Sequence, residues 1–391
     1  MGVRDRLRLQ FLRSTAALVS PQNPPDGAAS RRILVMRPDH LGDLLLSLPA
    51  LQQLRSAFPQ SHLGLLVGSW NEELARRIPY VDEVMTLDVP WFDRQPKGAP
   101  WEPYILARRE AERIGRQDWD MAIVLRPDFW WGAQLAVWAG IPQRIGYGFP
   151  ETIPFLTRVV QYHPLWHEAS LALNLVKAVT AGRLDPSAAL PDPRLALTPG
   201  DEEYAARWWE EQGRPPRMVV VHPGAGAPVK QWRADRFRAV AGALAKDMGA
   251  TVLVTGGPGE EGLAAEVAGG GLEDGHLRLV GASLGQLAAV LQHSVLAVGV
   301  DSGVMHLAAA VGVPTVRLYG PVDAARFGPW GSGERHAVVR SPLACVPCNR
   351  LDFSTEELSY HPCVRSISVE QVMNAVRSMM PARSTSDAVT G

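Results

Sequence analysis

The stretch that most constrains the fold runs from Val298 to Pro321, VGVDSGVMHLAAAVGVPTVRLYGP. It opens as an apolar strand, breaks at Asp301-Ser302-Gly303, continues as a helix of small residues and ends in a second strand. A strand–turn–helix–strand unit of this length requires a parallel sheet with a helix packed on it. The turn falls at the carboxyl end of the first strand, where open α/β sheets bind ligands. Asp301 or Ser302 can cap the helix, whose first-turn N–H groups and dipole favour an anion. Gly303 lets a ligand approach the backbone, and His306, about one turn on, can reach the same mouth. A well-capped helix alone explains part of this pattern. The glycine and histidine, with a second glycine-rich turn upstream, favour an anion site.

The rest of the chain repeats the same grammar. Apolar strands at 31–37, 62–68 and 120–126 alternate with helical segments, and Pro49 marks a kink or break in the helix that follows PDHLGD. Residues 182–200 carry four prolines and no helical period. They separate this half from a second one, with strands at MVVVHPG (218–224), TVLVTGGPG and HLRLVG. The expected division is an arm and linker at 1–30, an α/β domain at 31–182, a linker at 183–200, a second α/β domain at 201–365, a terminal helix at 366–380 and a disordered tail at 381–391. The 391 residues carry a net charge of −1, which argues against a nucleic-acid partner. No run reaches the ~18 consecutive apolar residues of a membrane span. The arginine-rich start makes a poor signal peptide, because Arg13 interrupts its apolar part. Arg4 to Arg13 suit a helix on an anionic membrane surface or, more simply, a solvated arm.

Two further turns in the second half end on glycines. His222-Pro223-Gly224-Ala225-Gly226 follows VVV, and the two glycines can let N–H groups turn inward as an anion nest. Lys230 follows and can place a cation on a phosphate. After VLV comes Thr255-Gly256-Gly257-Pro258-Gly259-Glu260, whose carboxylate can accept from ribose hydroxyls or simply pair with a helix dipole. None of these turns is a dinucleotide fingerprint or a Walker A motif. In the first half, Asp43 begins a helix after Arg37-Pro38-Asp39-His40-Leu41-Gly42. It reads as a cap or as a base for an acceptor hydroxyl. Asp118-Trp119-Asp120 has the form of a metal-binding D-x-D, but a turn before a strand explains it better. Cys345, Cys348, His361 and Cys363 could hold a structural zinc; reduced thiols are the simpler reading.

Together the segments ILVMRPDHLGDLLLSLPALQQLRSAFP, VVVHPGAGAPVKQWRADRFRAVA and VGVDSGVMHLAAAVGVPTVRLYGPVDAARFGPWG resemble glycosyltransferase family 9, the ADP-heptose:lipopolysaccharide heptosyltransferases. The resemblance implies an α/β GT-B fold, two Rossmann-like domains with parallel sheets facing a central cleft and a C-terminal helix crossing back to the first. It implies an inverting, metal-independent transfer with no cofactor, from a nucleotide-sugar donor such as ADP-heptose to a glycan or glycolipid acceptor, at the cytoplasmic face of the inner membrane. By motif, Asp43 is the base. Gly224, Gly226, Lys230, Glu260, Asp301, Ser302, Gly303 and His306 form the donor site. Ser302 replaces the commoner threonine, and the register at Glu260 and Glu261 stays open. The cysteines fit a family trait better than a new zinc site. A GT-B epimerase or hydrolase of sugar nucleotides, and a catalytically silent sugar-nucleotide or glycan-binding protein, are the alternatives.

Overall fold

The computed structural model describes residues 10, 14, 32–89, 92, 99, 101–180, 195–269, 276–331, 333–354 and 356–380. Apart from residues 10 and 14, the basic arm lies outside the described residues, as do most of the 183–200 linker and the tail after 380. The chain divides into two compact units, 1–191 and 192–391, and the break falls inside the expected linker.

The first unit is a six-stranded parallel sheet in the order β3-β2-β1-β4-β5-β6. Its central strands, β1 (Arg32–Met36), β2 (His62–Val67) and β4 (Met121–Val124), are nearly continuous apolar runs. That composition is what a strand covered by helices on both faces demands. β3 (Glu83–Thr86), β5 (Gln143–Tyr147) and β6 (Arg158–Val160) complete it. After β1, α1 (Leu41–Leu46) stops at Ser47, and α2 (Leu48–Ala57) restarts with Pro49 in its first turn, where a missing N–H costs nothing. Then follow α3 (Glu72–Ala75), α4 (Glu102–Gly115), α5 (Trp130–Trp138) and α6 (Glu168–Val179).

The second unit repeats the topology. α7 (Pro199–Glu211) starts from a Thr198–Asp201 capping box, two residues inside the expected linker. β7 (Met218–His222), α8 (Ala234–Met248), β8 (Thr251–Gly256), α9 (Glu261–Ala268), β9 (Leu277–Val280) and α10 (Leu284–Gln292) follow. The opening motif is β10 (Ser294–Val300), α11 (Gly303–Ala310) and β11 (Thr315–Tyr319), and the strand begins four residues earlier than the motif suggests. A short α12 (Ala324–Phe327) and β12 (His336–Arg340) come next. The parallel sheet runs β12-β11-β10-β7-β8-β9, the same order as in the first unit. In each sheet the order reverses between two central strands, β1 and β4 in one, β7 and β10 in the other. Ligands in open α/β sheets bind at the carboxyl ends of such a pair.

The terminal helix, α13 (Val369–Met379), belongs to the second unit. Val372, Met373 and Val376 enter the core that holds Val339 and Val240. The approach to α13 is pinned by Trp232, whose Nε1–H donates to the Ile367 carbonyl at 3.0 Å, and by Arg236, which donates to the Arg365 carbonyl at 2.7 Å.

Candidate active site

At the first unit's reversal point, β1 ends and Arg37 extends its ladder by one bond, donating its N–H to Leu66 O at 2.8 Å. The guanidinium turns inward and is buried. Three carboxylates surround it. Nη1 is 3.4 Å from Asp39 Oδ2, and Nη2 is 3.6 Å from Asp43 Oδ1 and 3.5 Å from Glu168 Oε2. Nε also donates to the Asp43 carbonyl at 3.2 Å. Arg126, just past β4, lies 3.5 Å from Asp39 and stacks over Phe92. The loop itself is fixed by Trp70 Nε1 and Asn71 Nδ2, both donating to Asp39 O at 2.9 Å.

These contacts assign different tasks to the carboxylates. The side chains of Asp39 and Glu168 are 4% and 5% exposed, whereas that of Asp43 is 22% exposed. A substrate can reach Asp43 most readily. Burial, opposed by Arg37, pushes Asp39 up to about 6. Asp43 is not a helix cap. His40 occupies that position, and Asp43 stands in the first turn of α1 with its carboxylate turned to Arg37.

The second unit brings together most of the residues singled out from the sequence. Lys230 Nζ is 2.6 Å from Asp301 Oδ2, so the cation reaches the turn after β10. His306 Nε2 is 3.9 Å from Asp301 Oδ1. Neither expected cap operates. The Asp301 carboxylate goes to Lys230, and Ser302, in the N-cap position of α11, makes no side-chain capping bond. Ser302 Oγ is instead buried and without a hydrogen-bond partner among the described residues. A buried polar group of this kind is normally satisfied, and a bound anion would satisfy it. Gly303 opens α11 beside it.

The glycine turn after β7 works differently from expectation. Gly224 and Gly226 do not have positive φ, so the backbone lacks the left-handed step of the usual nest. What Gly224 supplies is clearance: a Cβ there would sit 2.3 Å from the Glu260 carboxylate oxygens. Glu260 Oε2 accepts from the Gly257 N–H at 2.8 Å, while exposed Glu261 accepts from Gly259. This places Glu260, not Glu261, against the turn. Beneath it His222 Nδ1 meets Thr255 Oγ1 at 3.1 Å, and burial pushes that histidine down.

Two other motifs stand apart. In the D-x-D, Asp118 has φ 51° in a turn before β4, and Asp120 accepts from the Arg32 N–H at 2.9 Å. That is a turn doing backbone work. The zinc set does not form: among the described residues no group of three or more His, Cys, Asp or Glu could hold a metal ion. Cys345 and Cys348 are exposed, Cys363 is buried, and the His361 ring lies tilted against Phe353, with centroids 3.8 Å apart.

In the sequence Arg37 stands out only as part of its turn, and Arg126 and Glu168 do not stand out as site residues. One signal was available. Arg-Pro-Asp occurs twice, at 37–39 and 126–128, each time directly after a central strand. Glu168 gave none, because 131 residues separate it from Arg37.

A family model, glycosyltransferase family 9 (heptosyltransferase), matches residues 107–358, more than half of the chain. The chain belongs to glycosyltransferase family 9. It is therefore a transferase. Lipopolysaccharide heptosyltransferase 2 of Escherichia coli K12 is 27% identical over 301 residues, covering 74% of this chain and 83% of that protein. Among solved structures, a family 9 glycosyl transferase from Veillonella parvula superposes with a TM-score of 0.74 at 24% identity, covering 89% of this chain and 97% of its own. E. coli ADP-heptose lps heptosyltransferase II gives 0.70 at 23%, covering 89% and 98%. At these identities the structures establish a common fold, GT-B, with two Rossmann-like domains.

Proposed function

We propose that this family 9 enzyme transfers a heptose from ADP-heptose to a lipopolysaccharide core or a related surface glycan, with inversion at the anomeric carbon. The observation that carries the donor assignment is the cluster at the end of β10. There Lys230, His306, the unpartnered Ser302 hydroxyl and the first N–H groups of α11 stand together. These are cationic or hydrogen-bond-donating groups, suited to a diphosphate. Glu260 accepts hydrogen bonds, as a ribose requires. The named substrates of the E. coli relatives support heptose and adenine.

In this reading Asp43 removes the proton of an acceptor hydroxyl as that oxygen attacks the anomeric carbon. The bond from that carbon to the diphosphate oxygen breaks, and ADP leaves with the electron pair. Arg37 holds the base, and Lys230, His306 and the α11 terminus stabilise the departing charge. One well-placed donor of this kind is worth about 10²–10³ in rate. Since these groups already present hydrogen-bond donors to the leaving phosphates, transfer should persist in excess EDTA; loss restored by Mn²⁺ or Mg²⁺ would count against the assignment. Among the described residues no helix is long and apolar enough to cross a membrane. We place the enzyme at the cytoplasmic face of the inner membrane, where a nucleotide sugar and a lipid-linked glycan meet.

The test is direct. The protein is incubated with ADP-L-glycero-D-manno-heptose and a lipopolysaccharide core lacking heptose, and the product is weighed by mass spectrometry. A gain of one heptose with release of ADP is expected. ADP-heptose consumed without any acceptor, or not consumed at all, would overturn the proposal.

A further inference from the structure

The transfer chemistry leaves one buried cation unused. Arg317 stands in the middle of β11, between β10 and β12, and is 0% exposed. A buried guanidinium is costly unless its surroundings compensate it closely. Among the described residues no carboxylate lies within ion-pairing distance of Arg317, and its buried Nη2 has no hydrogen-bond partner. Nε donates to Thr315 Oγ1 at 3.1 Å, and Nη1 lies 3.1 Å from His306 Nδ1. Thr315 Oγ1 in turn is 2.9 Å from His336 Nδ1. A continuous line of polar contacts thus runs from β12 through β11 to α11 and the Asp301–Lys230 pair.

The direction of one bond in that line follows from chemistry. Guanidinium has five N–H donors, no acceptor, and keeps its proton in proteins. The nitrogen facing it must therefore present a lone pair. That nitrogen is His306 Nδ1, so the neutral imidazole carries its proton on Nε2, the nitrogen on the Asp301 side. We propose that Arg317 is a positioning residue that fixes His306 as its Nε2–H tautomer, so that the ring offers the donor's diphosphate an N–H rather than a lone pair. The inference rests on reading the Lys230–Asp301–His306 cluster as the diphosphate site. Without Arg317 the ring is free to place its proton on Nδ1, and the lone pair then left on Nε2 repels a phosphate oxygen.

The experiment follows the His306 ring nitrogens in the full-length ¹⁵N-labelled protein without ligand. The signal is assigned by its loss in His306→Gln. The parent should show the Nε2–H pattern. Arg317→Met, close in shape and uncharged, should lose that preference and bind ADP about tenfold more weakly. Arg317→Lys, again a donor without an acceptor, should keep the tautomer. Thermal melts confirm that each variant is folded; if Arg317→Met does not fold, the parent and lysine spectra still decide. An Nδ1–H parent, or a methionine variant with the parent's tautomer, would overturn the inference. The expected tautomers combined with ADP binding indifferent to Lys230→Ala would overturn the diphosphate reading instead.

Discussion

At the scale of single residues, Asp43 carries the sharpest expectation. Asp43→Asn preserves size and leaves a polar group beside Arg37, so folding and ADP binding should change little. Single-turnover transfer at saturating donor should fall by about 10²–10⁴, the usual range for a lost general base. A rate within a few-fold of the parent would move the base elsewhere, with Asp39 the nearest candidate. Lys230→Ala should weaken ADP binding by about ten- to a hundredfold, the equivalent of a charge-assisted phosphate contact, as read by isothermal titration. The same change leaves the Asp301 carboxylate buried without its 2.6 Å partner, so a lower melting temperature is expected as well. Adding ADP should not restore that loss, since the ligand is itself anionic.

At the scale of elements, acid should act on the two sheets with opposite sign. His336 on β12 is pushed down to about 4, first by burial and then by Arg317 and Arg335. The unfolded chain, with histidine near 6.5, binds the proton more readily between those values. The associated stability is present above about 6.5 and is lost as pH falls to about 4, at most about 3 kcal/mol. Asp39 is raised to about 6 against an ordinary value near 3.8. There the folded state binds the proton first, so the first unit gains stability over nearly the same window. Peptide-resolved hydrogen exchange, corrected for intrinsic rates, should show protection falling at β12 and rising at β1 between pH 7 and 4.5. His336→Gln should flatten the first slope. The elements themselves were unevenly legible. ILVM, VVV and VGV read as strands because both faces are covered and every position is apolar. Residues 143–147, 158–160 and 336–340 did not. These strands lie toward the sheet margins, are short, and mix arginine, glutamine or histidine with apolar residues. The Arg37 cluster was hidden for a different reason: its members are distant in sequence, and pairing of that kind has no local period. Arg317 was a missed signal, since a lone arginine inside TVRLY implies a buried partner.

At the scale of the whole molecule, each unit carries a core of its own residues, so ligand effects should be local. ADP at about 100 times its Kd should stabilise the unit that binds it by roughly 2.7 kcal/mol and leave the other unchanged. Differential scanning calorimetry should show one transition moving and one fixed. The placement of α13 bears on how the chain is made. Among the described residues, the first unit's core is complete once α6, with buried Leu171, Leu175 and Val176, ends at Val179. The second core waits for Val372, Met373 and Val376. At about 5–20 residues per second, the ribosome exposes an unfinished second sheet for roughly 10–40 s after the first has all its parts. Val339, made shortly before Val372, then lacks its cover for roughly 2–7 s at that rate. A nascent chain that stalls or is cut before residue 369 would present that apolar face to chaperones and proteases permanently, beside a first unit already in its final form.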